Sequence, residues 1–586
     1  MGPDATVSRR SVLRAGMLAG LGVPVLAGCT PGPASMPGPA RAGGPGGPAR
    51  TDPVALAMHL HSSFSEGTAS MATHLDQARR LGVDVLFWTD HDFRVSAQGY
   101  RRRLGLGDWT DIEHGVRLTW RRRIEGALTD ADVTFAAGAA TVAARGDGTL
   151  WLDADAWNST YSGSLADTTL QLELSPVTLG PDAHLALQLD LSYHPAGGGR
   201  PAGQYRLTYR FGPFARRVRR ATARDGEVDV PVPTGGWSTL SLRPVDDIAA
   251  LWPDLVAEDN SIHRLRVGLA TRRGATGRGA VRHVTFVRAR RGDSLALMRE
   301  VMARYAERYP DRRQYAALEV SLVRHLNWFG GELVMPDYGA RAPVKDGAVP
   351  AAMAMVQLIH RHGGLASYNH PLGGSKEATA EHMVTTGALG ADIVEIAYAG
   401  PSTVDGMLHV LDACARNLVF VTGNGVTDDH RGTDWYDDAK SNWVTKVWAS
   451  SVDLLDLQDA LRAGRAWCYK PDAWKGTLQL AAGGAAAMGG VVVTGQRTVP
   501  VTVTATDLPA DGSVEIVTGR TDRAAPAPAI ESTVSRGEHS FDAPAGSYVR
   551  AMVRDAAGRI VGIGNPVWLL REDPPGGVPP ARRLAL

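Results

Sequence analysis

Two hydrophobic patterns alternate along the chain. In the first, short apolar runs at 54–58, 83–88, 315–320, 365–368, 391–397 and 418–421 read as buried strands. Between and after them, 69–81, 294–309, 351–362, 404–417 and 454–463 carry apolar residues at helical spacing, with Gly82 and Gly363-Gly364 stopping two of the helices. Strand and helix in alternation predict an α/β fold. In the second pattern apolar and polar residues alternate one for one, at 170–174, 185–191, 205–211 and 281–287, and again at 501–504, 513–517 and 548–553. Turn residues bound these runs, which predicts β-sandwiches. The patterns divide the chain into an α/β part at 54–125, an inserted sandwich at 126–292, resumed α/β at 293–475, a second sandwich at 476–571 and a tail at 572–586.

The first residues follow neither pattern. Ser8-Arg9-Arg10-Ser11 precedes a short small-residue apolar stretch at 15–27, too short for a confident membrane span. Leu26-Ala27-Gly28-Cys29 looks like a bacterial lipobox, so 1–29 is read as a twin-arginine lipoprotein signal and Cys29 as the lipidated residue. The bland alternative is a disordered, mildly basic leader. Residues 30–53, rich in Pro, Gly and Ala, then form a flexible linker. This places the protein on the outer face of the cell membrane, or secreted. With Cys29 lipidated, Cys414 and Cys468 are the remaining thiols; they could pair in an oxidising compartment, but both are read as simply buried.

At 586 residues the chain exceeds what one core supports, and a net charge of +1 gives no global field for nucleic acid. The chemistry lies at the strand ends. His59 and His61 stand two apart on a strand and project to one face, with Glu66 in the polar segment that follows. Imidazole with carboxylate suits Zn, Mn or Fe. A strand at 83–88 then ends in Thr89-Asp90-His91-Asp92. Parallel α/β folds keep their chemistry at the carboxyl ends of strands.

His59-x-His61-Ser62-x-x-Ser65-x-Gly67, followed by a strand and Thr89-Asp90-His91-Asp92, resembles the PHP (polymerase and histidinol phosphatase) family of metal-dependent phosphoesterases. That family usually has Asp where this chain has Glu66. Later segments also resemble it: Glu319 and His325, the Asn369-His370-Pro371 turn, and Asp428-x-His430. Asn565-Pro566-Val567-Trp568 looks like the ending of the secreted carbaryl-hydrolase-like branch. The resemblance implies a distorted (β/α)7 barrel with up to three divalent ions. His59, His61, Glu319 and Asp428 would hold one, Glu319 would bridge to a second held by His325 and His370, and Glu66, His91 and His430 would hold the third. Glu319, Asp428 and His430 are then the residues nearest the chemistry, and Asp90 would orient a ligand imidazole. The segment 236–242 of the insert resembles a strand of a carbohydrate-binding jelly roll, so a glycan is a candidate partner there, with a purely structural insert the equal alternative.

The expected activity is hydrolysis of a phosphomonoester or phosphodiester, small or derived from the cell envelope, by metal-activated water. Arg94 and Lys376 are candidate phosphate contacts. Two alternatives stay open: attack on an ester, carbamate or amide by the same ions, and a glycan-binding surface lipoprotein without activity.

Overall fold

Val54–Ala57 lies inside a mixed sheet of a computed structural model. It pairs in parallel with Val85–Trp88, which pairs in parallel with Arg313–Val320. Both of the first two strands are buried throughout, as unbroken apolar runs covered on two faces must be. Leu326–Phe329 follows, antiparallel to Arg313–Val320 on one side and to Leu365–Tyr368 on the other. Ile393–Ala397 and Thr422–Gly425 then restore parallel pairing. The structure describes residues 52–96, 120–136, 138–154, 164–288, 294–336, 345–433, 435, 442–522 and 530–585, with short strands at 103–105, 109–110 and 117–118. The twin arginine, Cys29 and most of the linker lie outside them. Among the described residues no helix is long and apolar enough to cross a membrane.

This sheet departs from the expected (β/α)7 arrangement in two ways. Ser321–Val323 forms a 3-10 turn, and Arg324 and His325 take φ of 78° and 52°, so the chain reverses into a hairpin where a crossover helix would keep it parallel. The far edge, Thr422–Gly425, is also joined to the opposite side through side chains. Thr445 Oγ1 accepts from the Gly425 amide (3.0 Å) and donates to the Gly425 carbonyl (2.9 Å). Asn565 accepts from the Gly423 amide (2.6 Å) and donates to the carbonyls of Gly423 (2.9 Å) and Ala466 (2.8 Å). That edge strand begins later than the predicted 418–421. Leu418, at φ 60°, turns the chain after helix Pro401–Arg416, and Phe420 packs on Trp568 at 5.1 Å between ring centroids.

On its other side Val54–Ala57 pairs with Val444–Val447, then Ala466–Tyr469, then Ile560–Gly564. One sheet therefore runs from the α/β part into the C-terminal β region, and a smaller sheet around Leu478–Ala482 and Thr498–Ala505 shares its core. The predicted tail is strapped down. Arg583–Leu584 pairs with Val491–Val493, and the buried Arg582 donates to Gly489 O (2.8 Å) and Thr422 Oγ1 (2.6 Å). Cys414 and Cys468 are both buried and unpaired.

The insert begins before the predicted 126. Strand 103–105 and the strands from Trp120–Ala136 through Thr276–Arg288 belong to one further sheet, in which Trp120–Ala136 pairs along its length with Ala139–Ala154, while 109–110 and 117–118 pair with each other. This sheet has its own apolar core but is docked on the α/β part. The Thr68 carbonyl and the Ser70 amide pair with the Tyr193 backbone (2.8 and 2.9 Å), and Ser261 Oγ donates to Gly67 O (3.1 Å). Asp259 of the insert accepts from Ser63 Oγ (2.6 Å) and Tyr305 OH (2.7 Å).

Helix Pro401–Arg416 is held to the C-terminal sheet by the buried Asp412. Its carboxylate accepts from Arg550 Nε (2.8 Å), Arg550 Nη2 (2.7 Å) and Tyr548 OH (3.1 Å). Asp412→Ala leaves a buried guanidinium without its counter-charge and should cost about 3–5 kcal/mol. Equilibrium urea unfolding reads this as a lowered midpoint, and an unchanged midpoint would refute it.

Candidate metal centre

The centre is assembled from strand ends and the loops beyond them. Leu60, just past Val54–Ala57, bridges to Asp429, and His91 bridges to Glu319. These pairings bring the first, second, third and last segments of the α/β part to one place. Between His61 and helix Met71–Leu81 the loop is tight, and a Cβ on Gly67 would lie 2.2 Å from His61 O. Only glycine fits that close approach. Ser70 caps the helix by accepting from Thr73 N (3.3 Å), so the loop is fixed at its end too.

His59 Nε2 and His61 Nε2 face each other at 3.1 Å. Glu319 Oε2 stands 3.4 Å from both, and Asp428 Oδ1 lies 3.4 and 3.2 Å from them. Glu66 Oε1 reaches His91 Nε2 (2.6 Å), His430 Nε2 (3.1 Å) and His61 Nδ1 (3.8 Å). Glu319 Oε1 takes His325 Nδ1 at 2.8 Å, while His370 Nε2 is 3.6 Å away. The structure thus gathers these side chains in one place, although His370 and Asp428 fall outside the groups whose atoms are close enough to share an ion. Ligand atoms close enough to share one ion form three overlapping groups: His61, Glu66, His91 and His430; His59, His61 and Glu319; and His91, Glu319 and His325. The hairpin turn is what carries His325 back onto Glu319.

These side chains fit metal ions. Glu319 Oε2 is buried without a hydrogen-bond partner while ring nitrogens crowd it, an arrangement that a cation satisfies. A neutral imidazole has a single lone pair, so His61 and His91 can each serve one group at a time.

Charge in the cluster is strongly redistributed. Burial opposes the Glu66 and Glu319 carboxylates, yet His91 and the other neighbouring cations hold both well below the usual range. Burial also pulls His59 down, but Asp428, Glu395 and Glu319 outweigh it and leave the imidazole well above its ordinary value. For His61, burial and the charge of His430 win, and its pKa falls to about 4. His430 is likewise disfavoured by burial, but the Glu66 hydrogen bond and the Asp428 charge raise it to about 9.

Asp90 does not orient an imidazole directly as expected. Its carboxylate accepts from Ser62 N (2.8 Å), Ser62 Oγ (2.7 Å) and Ser65 Oγ (2.5 Å), so it fastens the loop that carries Glu66. The orienting carboxylate is Glu395, which the sequence reading passed over. It accepts at 2.7 Å from His59 Nδ1 with one oxygen and at 2.7 Å from the His370 amide with the other. An acid in the middle of the apolar run 391–397 was the available signal. Arg94 lies buried with Nε 3.2 Å from Glu66 Oε2, so it faces a ligand carboxylate. Lys376 opens helix Lys376–Thr385.

Three outcomes follow. Glu395→Gln should weaken metal binding about 10- to 100-fold with the fold intact, read by competition against a chromogenic chelator. Glu319→Ala should do the most damage, and unchanged metal content in that variant would refute its place at the centre. Metal must displace the proton from His430, whose folded pKa is raised, so affinity at its subsite should climb up to about tenfold per pH unit from 7 and level above 9. Calorimetry in buffers of different ionisation enthalpy would show the released proton.

No family model matches the chain, and no curated protein matches it. Among solved structures, a two-domain protein containing a predicted PHP-like metal-dependent phosphoesterase from Bacteroides vulgatus ATCC 8482 aligns at 14% identity, over 47% of this chain and 79% of its own, with a TM-score of 0.22. The endoglucanase Cel12A from Rhodothermus marinus aligns at 17% identity, over 32% of this chain and 99% of its own, also at 0.22. A family 11 carbohydrate-binding module from Clostridium thermocellum aligns at 11% identity, over 32% and 96%, at 0.18. At these TM-scores the alignments carry no argument about this chain.

Proposed function

We propose that the protein is an exported metal-dependent hydrolase that cleaves a phosphomonoester or phosphodiester. The observation that carries this reading is the convergence of three overlapping ligand groups at strand ends. The division implied by the family resemblance uses each imidazole once and Glu319 twice. His59, His61, Glu319 and Asp428 would hold one ion, Glu319, His325 and His370 a second, and Glu66, His91 and His430 a third, with Zn, Mn or Fe as the ions. Closely spaced divalent ions lower the pKa of a bound water and offset charge on the attacking and leaving oxygens.

The chain's own residues would do the rest. His59, His61 and Glu319 form a floor closed to solvent, which excludes bulk water from beneath the reacting group. Side chains of His370, Asp428 and His430 are each about one-third exposed and leave the opposite side open to substrate. Glu395 and Asp90 fix the imidazoles and the Glu66 loop. A glycan at the insert finds less support. Trp237 is 41% exposed there, but the Arg282 guanidinium lies 4.1 Å from the centroid of its ring. Export with a lipid on Cys29 belongs to the proposal, and Cys29→Ala should release the protein from the membrane fraction.

The test compares p-nitrophenyl phosphate, bis-p-nitrophenyl phosphate and p-nitrophenyl acetate on the Mn- or Zn-loaded protein, with and without chelator. Chelator-sensitive release from a phosphate ester is expected. Release from the acetate alone would replace the phosphoesterase reading with carbonyl hydrolysis.

A further inference from the structure

The open side of the centre carries a cation that the metal-ligand reading leaves unused. Lys345 is exposed, and its Nζ lies 3.3 Å from His325 Nε2. The other ring nitrogen of His325 is 2.8 Å from Glu319 Oε1. Glu319 draws the Nδ1 proton, so the Nε2 lone pair faces outward and meets the ammonium.

The position of Lys345 is set by backbone. The Asp346 amide donates to Leu322 O (2.7 Å), and the Arg324 guanidinium donates to Gly347 O (2.5 Å). Asp346 in turn accepts from the Ala348 amide with its own side chain (3.0 Å), closing a short turn. Residues 346–348 are thereby tied to the same hairpin turn that delivers His325. Lys345 therefore stands at the rim of the centre by construction, on a stem long and flexible enough to sweep its open side.

We infer that Lys345 is the substrate-binding cation of this site and sets its preference for an anionic, phosphate-bearing substrate. This rests on the phosphoesterase reading above. An ion held by Glu319, His325 and His370 would add positive charge beside the ammonium, and nearby cations repel. The ammonium then needs an anionic partner on the open side, where a phosphoryl oxygen not bound to metal would be presented. A compact point charge with three rotatable donors suits such an oxygen in many orientations. A monoester dianion presents the most charge, a diester monoanion less and a neutral ester none, so the order of preference should follow that series.

The experiment uses the full metal-loaded protein with Lys345→Ala and Lys345→Arg. Metal content, measured by emission spectroscopy, should match wild type, because Lys345 supplies no ligand. For Lys345→Ala, kcat/KM on p-nitrophenyl phosphate should fall about 10- to 100-fold, chiefly through KM, as expected for loss of a charge-assisted contact. The loss on bis-p-nitrophenyl phosphate should be smaller, and Lys345→Arg should recover most of it. Binding of inorganic phosphate, followed by calorimetry, should weaken in parallel. Equal losses on both esters, an unweakened phosphate affinity or altered metal content would overturn the inference. The phosphate-binding arm also separates the two readings. If wild type cleaves no phosphate ester but Lys345→Ala still weakens phosphate binding, the anion site stands and the phosphoesterase reading falls. If wild type binds no phosphate, the inference about Lys345 falls by itself.

Discussion

A carboxylate cut off from water stays ionised only if positive charge is brought to it, and Glu319 is 1% exposed. That requirement organises the centre. Glu319 sits at the end of Arg313–Val320, and around it the fold places His59 and His61 from one strand end, His91 from the next and His325 from a turn. His59 supplies part of that charge, because Asp428, Glu395 and Glu319 outweigh its burial and hold its imidazole above the ordinary value. Metal ions would supply more charge at the same points with less demand on protonation. Glu66 and Asp428 repeat the arrangement on either side, each carboxylate facing two or more ring nitrogens.

The same constraint explains how the insert is attached. A loop whose acid must reach three imidazoles cannot be loose, and Ser62 to Ser70 is fastened from both directions. From within the α/β part, Asp90 takes Ser62 and Ser65, and the amides of Thr68 and Ala69 donate to His430 O at 2.5 and 3.2 Å. From the insert, Asp259 takes Ser63 while Tyr193 and Ser261 take the backbone further on. Asp259 is itself buried, which raises its pKa to about 6 despite bonds from Ser63 and Tyr305. The inserted sheet is thus part of the scaffold of the site.

Much of the candidate site was legible because its histidines and acids lie in short local patterns. His59-x-His61 and Asp428-x-His430 stand out by spacing at a strand end, while His370 was found through the resemblance of Asn369-His370-Pro371 to the family's turn. What was hidden depends on contacts across the fold. Glu395 lies 336 positions from His59, and a buried strand of mostly apolar residues gives no hint of its partner. Asp90 has no sequence signal that separates an imidazole partner from other donors, and the Ser62 and Ser65 hydroxyls and the Ser62 amide are what it meets. The hairpin was missed because Arg324 and His325 take positive φ without a glycine to signal it. Alternation identified the β regions well, yet it could not show that one of them continues the sheet of the α/β part, since pairing partners are not written in a strand's own pattern.

The edge at Thr422–Gly425 sets an order of events during synthesis. Its amide and carbonyl groups at Gly423 find their partner in Asn565, 142 residues later, and Thr422 Oγ1 meets Arg582, 160 residues later. A ribosome that has just released Asp428 and His430 has therefore delivered the candidate ligand residues named above, but not the groups that seal the strand leading to them. Until those emerge, an unpaired strand edge is open to wrong partners, and the nascent chain is at its most aggregation-prone when its ligand set is already complete.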